Sequence, residues 1–176
     1  MKHELKPISA CCGCVNRKQI NIHIGQMHVS REPAVIYTLL GSCVAVCLFD
    51  PVARTGGMNH ILMPGPADPR HSDQACRYGD HAIAVLLKRL LQIGAERKRV
   101  VAKVFGGAHM FREMPIESSP GLKNAETAVA FLNQLKIRIV KQDLGGYLAR
   151  KVFFYTDSGD VFLKRLRQSA FSLVGC

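Results

Sequence analysis

Residues 38–51 read TLLGSCVAVCLFDP. AVIYTLL (34–40) and CVAVCLF (43–49) are two β-rich runs with only Gly41 and Ser42 between them. In the second run, Val44, Val46 and Leu48 point one way, and Cys43, Ala45, Cys47 and Phe49 the other. The dipeptide DP (50–51) punctuates a turn, and GGMNHILMP (56–64) follows as a short strand between glycines and a proline.

Further out, INIHI (20–24) alternates, with Ile20, Ile22 and Ile24 on one face, and reads as a strand. PGPADPRHSDQACRYG (64–79) is a polar loop. The spacing of Ile83, Leu86, Leu87, Leu90 and Leu91 predicts a helix from about Asp80, with Asp80 as its N-cap and Gly94 as its stop. RVVAKVF (99–105) is a strand running into GGAHMF. A second helix is expected from Asn124 to about Leu135, capped by Asn124, on the recurrence of Ala125, Ala128, Val129, Leu132 and Leu135. IRIVKQ (137–142) is a strand, and KVFFYTDSGDVFLKRL (151–166) a hairpin turning at Asp157, Ser158 and Gly159. No internal repeat is visible. These elements predict an α/β (α+β) single domain, a layered sandwich of mixed β-sheets with about two main outer helices and seven or eight strands. They are too irregular for a doubly wound βαβ array.

Composition narrows the class. The chain has 176 residues, enough for one domain with one sizeable core, and 48% hydrophobic residues exclude disorder for its bulk. No apolar run approaches the length of a transmembrane helix. The start, MKHELKPISACCGC, lacks an apolar h-region, so no secretory signal is expected. Residues 1–19 are expected to be a flexible Cys-containing extension, 20–167 the domain, and 168–176 a tail. Seven cysteines, an odd number without framework spacing, point to a reducing cytoplasm with free thiols. The net charge of +11 suits nucleic acid, an acidic protein surface, or simply a solubilising exterior. Aromatics at 7% and no Trp weaken a single-strand stacking role.

The chemistry concentrates at Cys43. A thiol becomes a nucleophile when a nearby base can take its proton. His60 lies on the neighbouring predicted strand, and antiparallel strands sit about 5 Å apart, so the two side chains can meet. Gly41 and Ser42 allow a tight turn that leaves backbone N–H groups free for an oxyanion. Thr38 carries a hydroxyl that can orient the imidazole or hold the substrate. Gly56 and Gly57 clear space before His60, and Gly57, Asn59 and His109 are pocket candidates. Cys47, mid-strand, is expected to be a small buried hydrophobe. CCGC (11–14), even with His3 or His23, lacks the two spaced pairs of a zinc site, so no metal is expected. Gly-Gly at 106–107 and 145–146 lacks the Lys-Ser/Thr of a phosphate loop and is expected to make turns.

TLLGSCVAVCLFDP followed by GGMNHILMP resembles the signature of the chemoreceptor glutamine deamidase family of bacterial chemotaxis, CheD. KVFGGAHMF (103–111), GLKNAETAVAFL (121–132) and DLGGYLARKVFFYTDSGDVFLKRL (143–166) resemble it too, so the likeness covers roughly residues 20–167. It implies a catalytic Cys, His and Thr, which fall on Cys43, His60 and Thr38. It further implies a protein-glutamine glutaminase without cofactor, acting on the cytoplasmic helical domain of chemoreceptors and able to bind a CheC-type phosphatase. Two alternatives stand beside it: a non-catalytic adaptor for receptors and such a phosphatase, whose function would survive Cys43→Ala, and a basic RNA-binding module, whose binding would collapse with salt.

Overall fold

The computed structural model describes residues 16–66, 74–110 and 113–166. The CCGC cluster and the expected C-terminal tail lie outside these residues. Nine strands are present among them: β1 (Lys18–Asn21), β2 (Met27–Ser30), β3 (Ala34–Leu40), β4 (Val44–Asp50), β5 (Thr55–Asn59), β6 (Val101–Gly106), β7 (Arg138–Leu144), β8 (Ala149–Tyr155) and β9 (Val161–Leu166). The two helices are α1 (Gly79–Gln92) and α2 (Pro120–Gln134). The strand count exceeds the expected seven or eight because MHVS forms β2, paired antiparallel with β5.

The strands form two mixed sheets, one ordered β1-β3-β8-β9 and one β2-β5-β4-β6-β7. The alternation of β4 explains the layering. Val44, Val46 and Leu48 pack with Ala82, Ile83, Leu86 and Leu90 of α1 and Ala125, Ala128 and Leu132 of α2. Cys43, Ala45 and Cys47 pack with Ile36 and Leu40 of β3 and Val152 and Phe154 of β8. The five-stranded sheet is therefore the middle of three layers, with helices on one face and the four-stranded sheet on the other. Truncating a side chain such as Leu86, fully buried here, costs about 2–5 kcal/mol.

Both helices begin earlier than the sequence predicts. Tyr78 is the N-cap of α1, and Asp80 lies in its first turn, where a carboxylate still suits the helix dipole. Ser119 caps α2 with Pro120 in the first turn, which leaves Asn124 inside the helix rather than at its cap. Gly94 ends the first helix as expected, at φ +103°.

Two glycines before His60 serve packing. A Cβ on Gly56 would meet the Phe154 ring at 2.7 Å, and one on Gly57 would meet Val29 Cγ1 at 2.5 Å. Gly57, one of the pocket candidates, pairs with Leu48 and is packed against Val29 and Leu86.

Candidate active site

β3 and β4 meet at the Gly41–Ser42 turn, so the chain crosses there from the four-stranded to the five-stranded sheet. Cys43 stands at the mouth of β4, 8% exposed, on the face between the sheets. The β4–β5 register continues past β5 through a bridge between Val44 and Ile61. That register sets His60 opposite Ala45. His60 and Cys43 are consequently diagonal neighbours on one sheet face, a relation that puts Cα atoms roughly 7–8 Å apart.

The imidazole is 4% exposed and is met from the facing sheet by Thr38. Thr38 Oγ1 lies 2.7 Å from His60 Nδ1. The same hydroxyl donates to the Ile22 carbonyl at 2.7 Å. A hydroxyl has one proton, so with that proton on Ile22 O the Thr38 oxygen accepts from Nδ1–H. The tautomer is thereby set: Nε2 carries the lone pair. Nε2 is buried and has no hydrogen-bond partner among the described residues. Burial holds the imidazole neutral, with a pKa lowered to about 4; the Ile22 carbonyl opposes this and His23 adds to it. Burial also pushes the Cys43 thiol up. The resting pair is thus a neutral thiol and a neutral imidazole, since a buried ion pair here would cost desolvation of both groups.

The turn before the thiol is tied down carbonyl by carbonyl. Gly41 O accepts from Ala108 N–H at 2.9 Å and Cys43 O from Gly107 N–H at 2.8 Å. Ser42 O accepts from the Asn124 side chain at 3.1 Å. The N–H groups of Ser42 and Cys43 make no hydrogen bond among the described residues. Gly106 and Gly107 take φ values of +115° and +67°. A Cβ at Gly106 would stand 2.2 Å from Cys43 O, so only glycine lets this segment approach the turn.

Of the pocket candidates, His109 is buried and follows Ala108, whose N–H bonds the Gly41 carbonyl. Its N–H donates to Gly146 O at 2.8 Å, its ring lies edge-on to Tyr147, and Met110 covers Gly41. Gly145 and Gly146 make the expected turn, at φ +73° and +69°. Beside them a cleft of about 450 Å³ is lined by Asp143, Tyr147, Leu148, Arg150 and Arg165. Asn59 corrects its expectation: it pairs with Met27 on the helix-covered side, and its Oδ1 accepts the Val46 N–H at 2.9 Å. Neighbours along a strand face opposite ways, so Asn59 cannot share the face of His60. Sequence reasoning missed Asn124, because an Asn before a helical pattern reads as a cap; its burial at position five of α2 is the structural signal.

A free thiol, a neutral buried imidazole and a hydroxyl bonded to it are groups of the kinds that cysteine-dependent acyl transfer uses. The family model described as CheD chemotactic sensory transduction matches residues 62–165. Among similar proteins, one named a probable chemoreceptor glutamine deamidase CheD 1 of Anaeromyxobacter dehalogenans is 41% identical over 150 residues, covering 85% of this chain and 86% of its own. A probable chemoreceptor glutamine deamidase CheD of Caulobacter vibrioides is 43% identical over 147 residues, 82% of this chain and 77% of its own. A probable CheD 1 of Shewanella oneidensis is 37% identical over 153 residues, 86% and 74%. These alignments are long enough to include positions 38, 43 and 60, which precede the family-model match. The chain belongs to the CheD family. No helix among the described residues is long and apolar enough to cross a membrane.

Proposed function

We propose that this protein deamidates glutamine side chains of chemoreceptors to glutamate, with Cys43 as nucleophile, His60 as base and acid, and Thr38 as the group that orients His60. The observation that carries the reading is the orphaned, lone-pair-bearing Nε2 on the same sheet face as the thiol. A buried acceptor left without a partner is costly unless the site uses it.

Atoms balance as follows. His60 Nε2 takes the Cys43 proton as sulfur attacks the amide carbon of glutamine, and the carbonyl oxygen becomes an oxyanion facing the N–H groups of the Gly41–Cys43 turn. The tetrahedral species collapses, and the Nε2 proton leaves with the amine as ammonia. Water, deprotonated by the same imidazole, attacks the thioester. Glutamate departs and the proton returns to sulfur. The sum is glutamine plus water to glutamate plus ammonia, with no cofactor. Because the resting pair is neutral, the proton moves only as the substrate carbonyl arrives.

The setting that fits is the bacterial cytoplasm, where thiols stay reduced. The substrate surface would be an acidic helical one, to which the +11 charge is complementary, and a CheC-type phosphatase would compete with the receptor for the same surface of this protein. In domain terms, the deamidase unit takes in β1 from Lys18, which pairs with β3, and so begins ahead of the expected boundary at residue 20. The test is to incubate the protein with a receptor cytoplasmic fragment and map peptides by mass. Each deamidated glutamine gains about one dalton through exchange of NH₂ for OH. An unchanged peptide map, or an equal gain with Cys43→Ala, overturns the assignment; receptor binding insensitive to salt overturns the charge argument.

A further inference from the structure

Asn124 is 1% exposed, sits within α2, and touches neither Cys43 nor His60 through any hydrogen bond. Its side-chain NH₂ donates to two carbonyls, Ser42 O at 3.1 Å and Leu62 O at 2.9 Å. Only the NH₂ end can face two carbonyl oxygens, so the amide's orientation is fixed. Its own Oδ1 is buried with no partner among the described residues. A helix does not require this arrangement, since an Ala at the same position would propagate it better. The two acceptors are informative. Ser42 immediately precedes the thiol, and Leu62 lies opposite Cys43 in the register, two residues beyond His60. The two segments bearing the proposed nucleophile and base are thus clasped by one amide.

The Ser42 carbonyl and the Cys43 N–H belong to the same peptide unit. That unit is planar and trans, so the two groups point in opposite directions. Whatever fixes the carbonyl aims the N–H. Asn124 draws the carbonyl toward α2 and thereby turns the Cys43 N–H away from the helix. That N–H has no partner among the described residues. We propose that Asn124 is a positioning residue for the oxyanion donor: it holds the Ser42–Cys43 peptide so that the Cys43 N–H meets the oxygen of the tetrahedral intermediate. This rests on the deamidase reading and adds a residue to it.

A split between two reactions of the same sulfur tests it. Deamidation passes through an oxyanion, whereas alkylation of Cys43 by iodoacetamide is a displacement at a CH₂ group and needs no such donor. In Asn124→Ala, kcat for a receptor fragment should fall about 100-fold with KM within about threefold. Cys43 alkylation, followed site by site by peptide mass, should stay within about twofold of wild type. Asn124→Asp should lose at least as much, because a carboxylate would face two carbonyl oxygens. Asn124→Ser, with one shorter donor, should fall between. Rates are taken per folded molecule, measured by near-ultraviolet circular dichroism. If kcat and alkylation fall together, or kcat does not fall, the proposal is overturned. It is equally overturned if none of the three variants folds, because Asn124 would then be structural only. An active wild type with an equally active Asn124→Ala sinks this inference alone; a wild type lacking Cys43-dependent ammonia release sinks the deamidase reading with it.

Discussion

The two ends of β4 are built on opposite rules. At its far end, Asp50 is fully buried and every direction around its carboxylate is occupied. Its Oδ1 accepts from the Val52 and Ala53 N–H groups at 2.9 and 3.1 Å, its Oδ2 from the Glu96 N–H at 2.8 Å, and the Arg99 guanidinium clamps both. Burial alone would raise its pKa, but Arg99 and the three N–H groups outweigh it and hold the acid well below the usual carboxylate range. At the near end, the Cys43 thiol, the His60 Nε2 and two main-chain N–H groups have no hydrogen-bond partner among the described residues. Saturation leaves the Asp50 end no open valence; the proposed chemistry at the Cys43 end draws on open valences in a buried place. On the proposed reading, burial along the same strand gives stability where polar groups are matched and reactivity where they are not.

That contrast can be broken experimentally. The largest effect belongs to Cys43→Ala, which should lower receptor deamidation by at least about 10⁴-fold with little change in Tm, while Cys47→Ala, two turns of the pleat deeper, should keep the rate. Peptide mass mapping and a thermal melt read both. Next, Asp50→Ala should remove about 3 kcal/mol of stability in urea titration, with activity per folded molecule unchanged; a selective loss of activity would erase the distinction between the ends.

Acid should separate the ends by pH window. His60 has a folded pKa of about 4 against 6.5 unfolded, so its contribution is complete above about 6.5 and is lost as pH falls toward 4. The total is about 3 kcal/mol at about 1.4 per pH unit. Asp50 is depressed below 3.8, so its contribution persists through that window and is lost only under stronger acid. Urea titrations of His60→Gln should be flatter between pH 6.5 and 4, and those of Asp50→Asn flatter below it. The smallest effect is Thr38→Val, expected to lower kcat about 10- to 100-fold, the worth of one buried hydrogen bond, with Thr38→Ser retaining most of the rate.

Much of this was legible in local pattern. The alternation along CVAVCLF correctly assigned two faces, and the helix stripe around Ile83–Leu90 and the hairpin at Asp157–Gly159 follow from spacing and turn chemistry. Asn59 was legible and still misjudged, because strand parity already sets it opposite to His60. β2 was not legible: four residues with intermediate burial carry no period, and their partner β5 supplies the order. Asn124 was hidden for another reason. Its partners, Ser42 and Leu62, are 82 and 62 positions away, and no local rule connects an amide to distant carbonyls.

The bond from Thr38 to His60 joins the two sheets, since β3 belongs to one and the His60 segment extends the other. On the proposed reading, turnover depends on how closely two slabs lie, a property of the whole interlayer filling rather than of the loop around the sulfur. Slight prying, by mild urea or by shaving Phe154 or Met58 in that filling, should silence turnover before the far-ultraviolet signal changes. The enzyme is in that sense its own strain gauge.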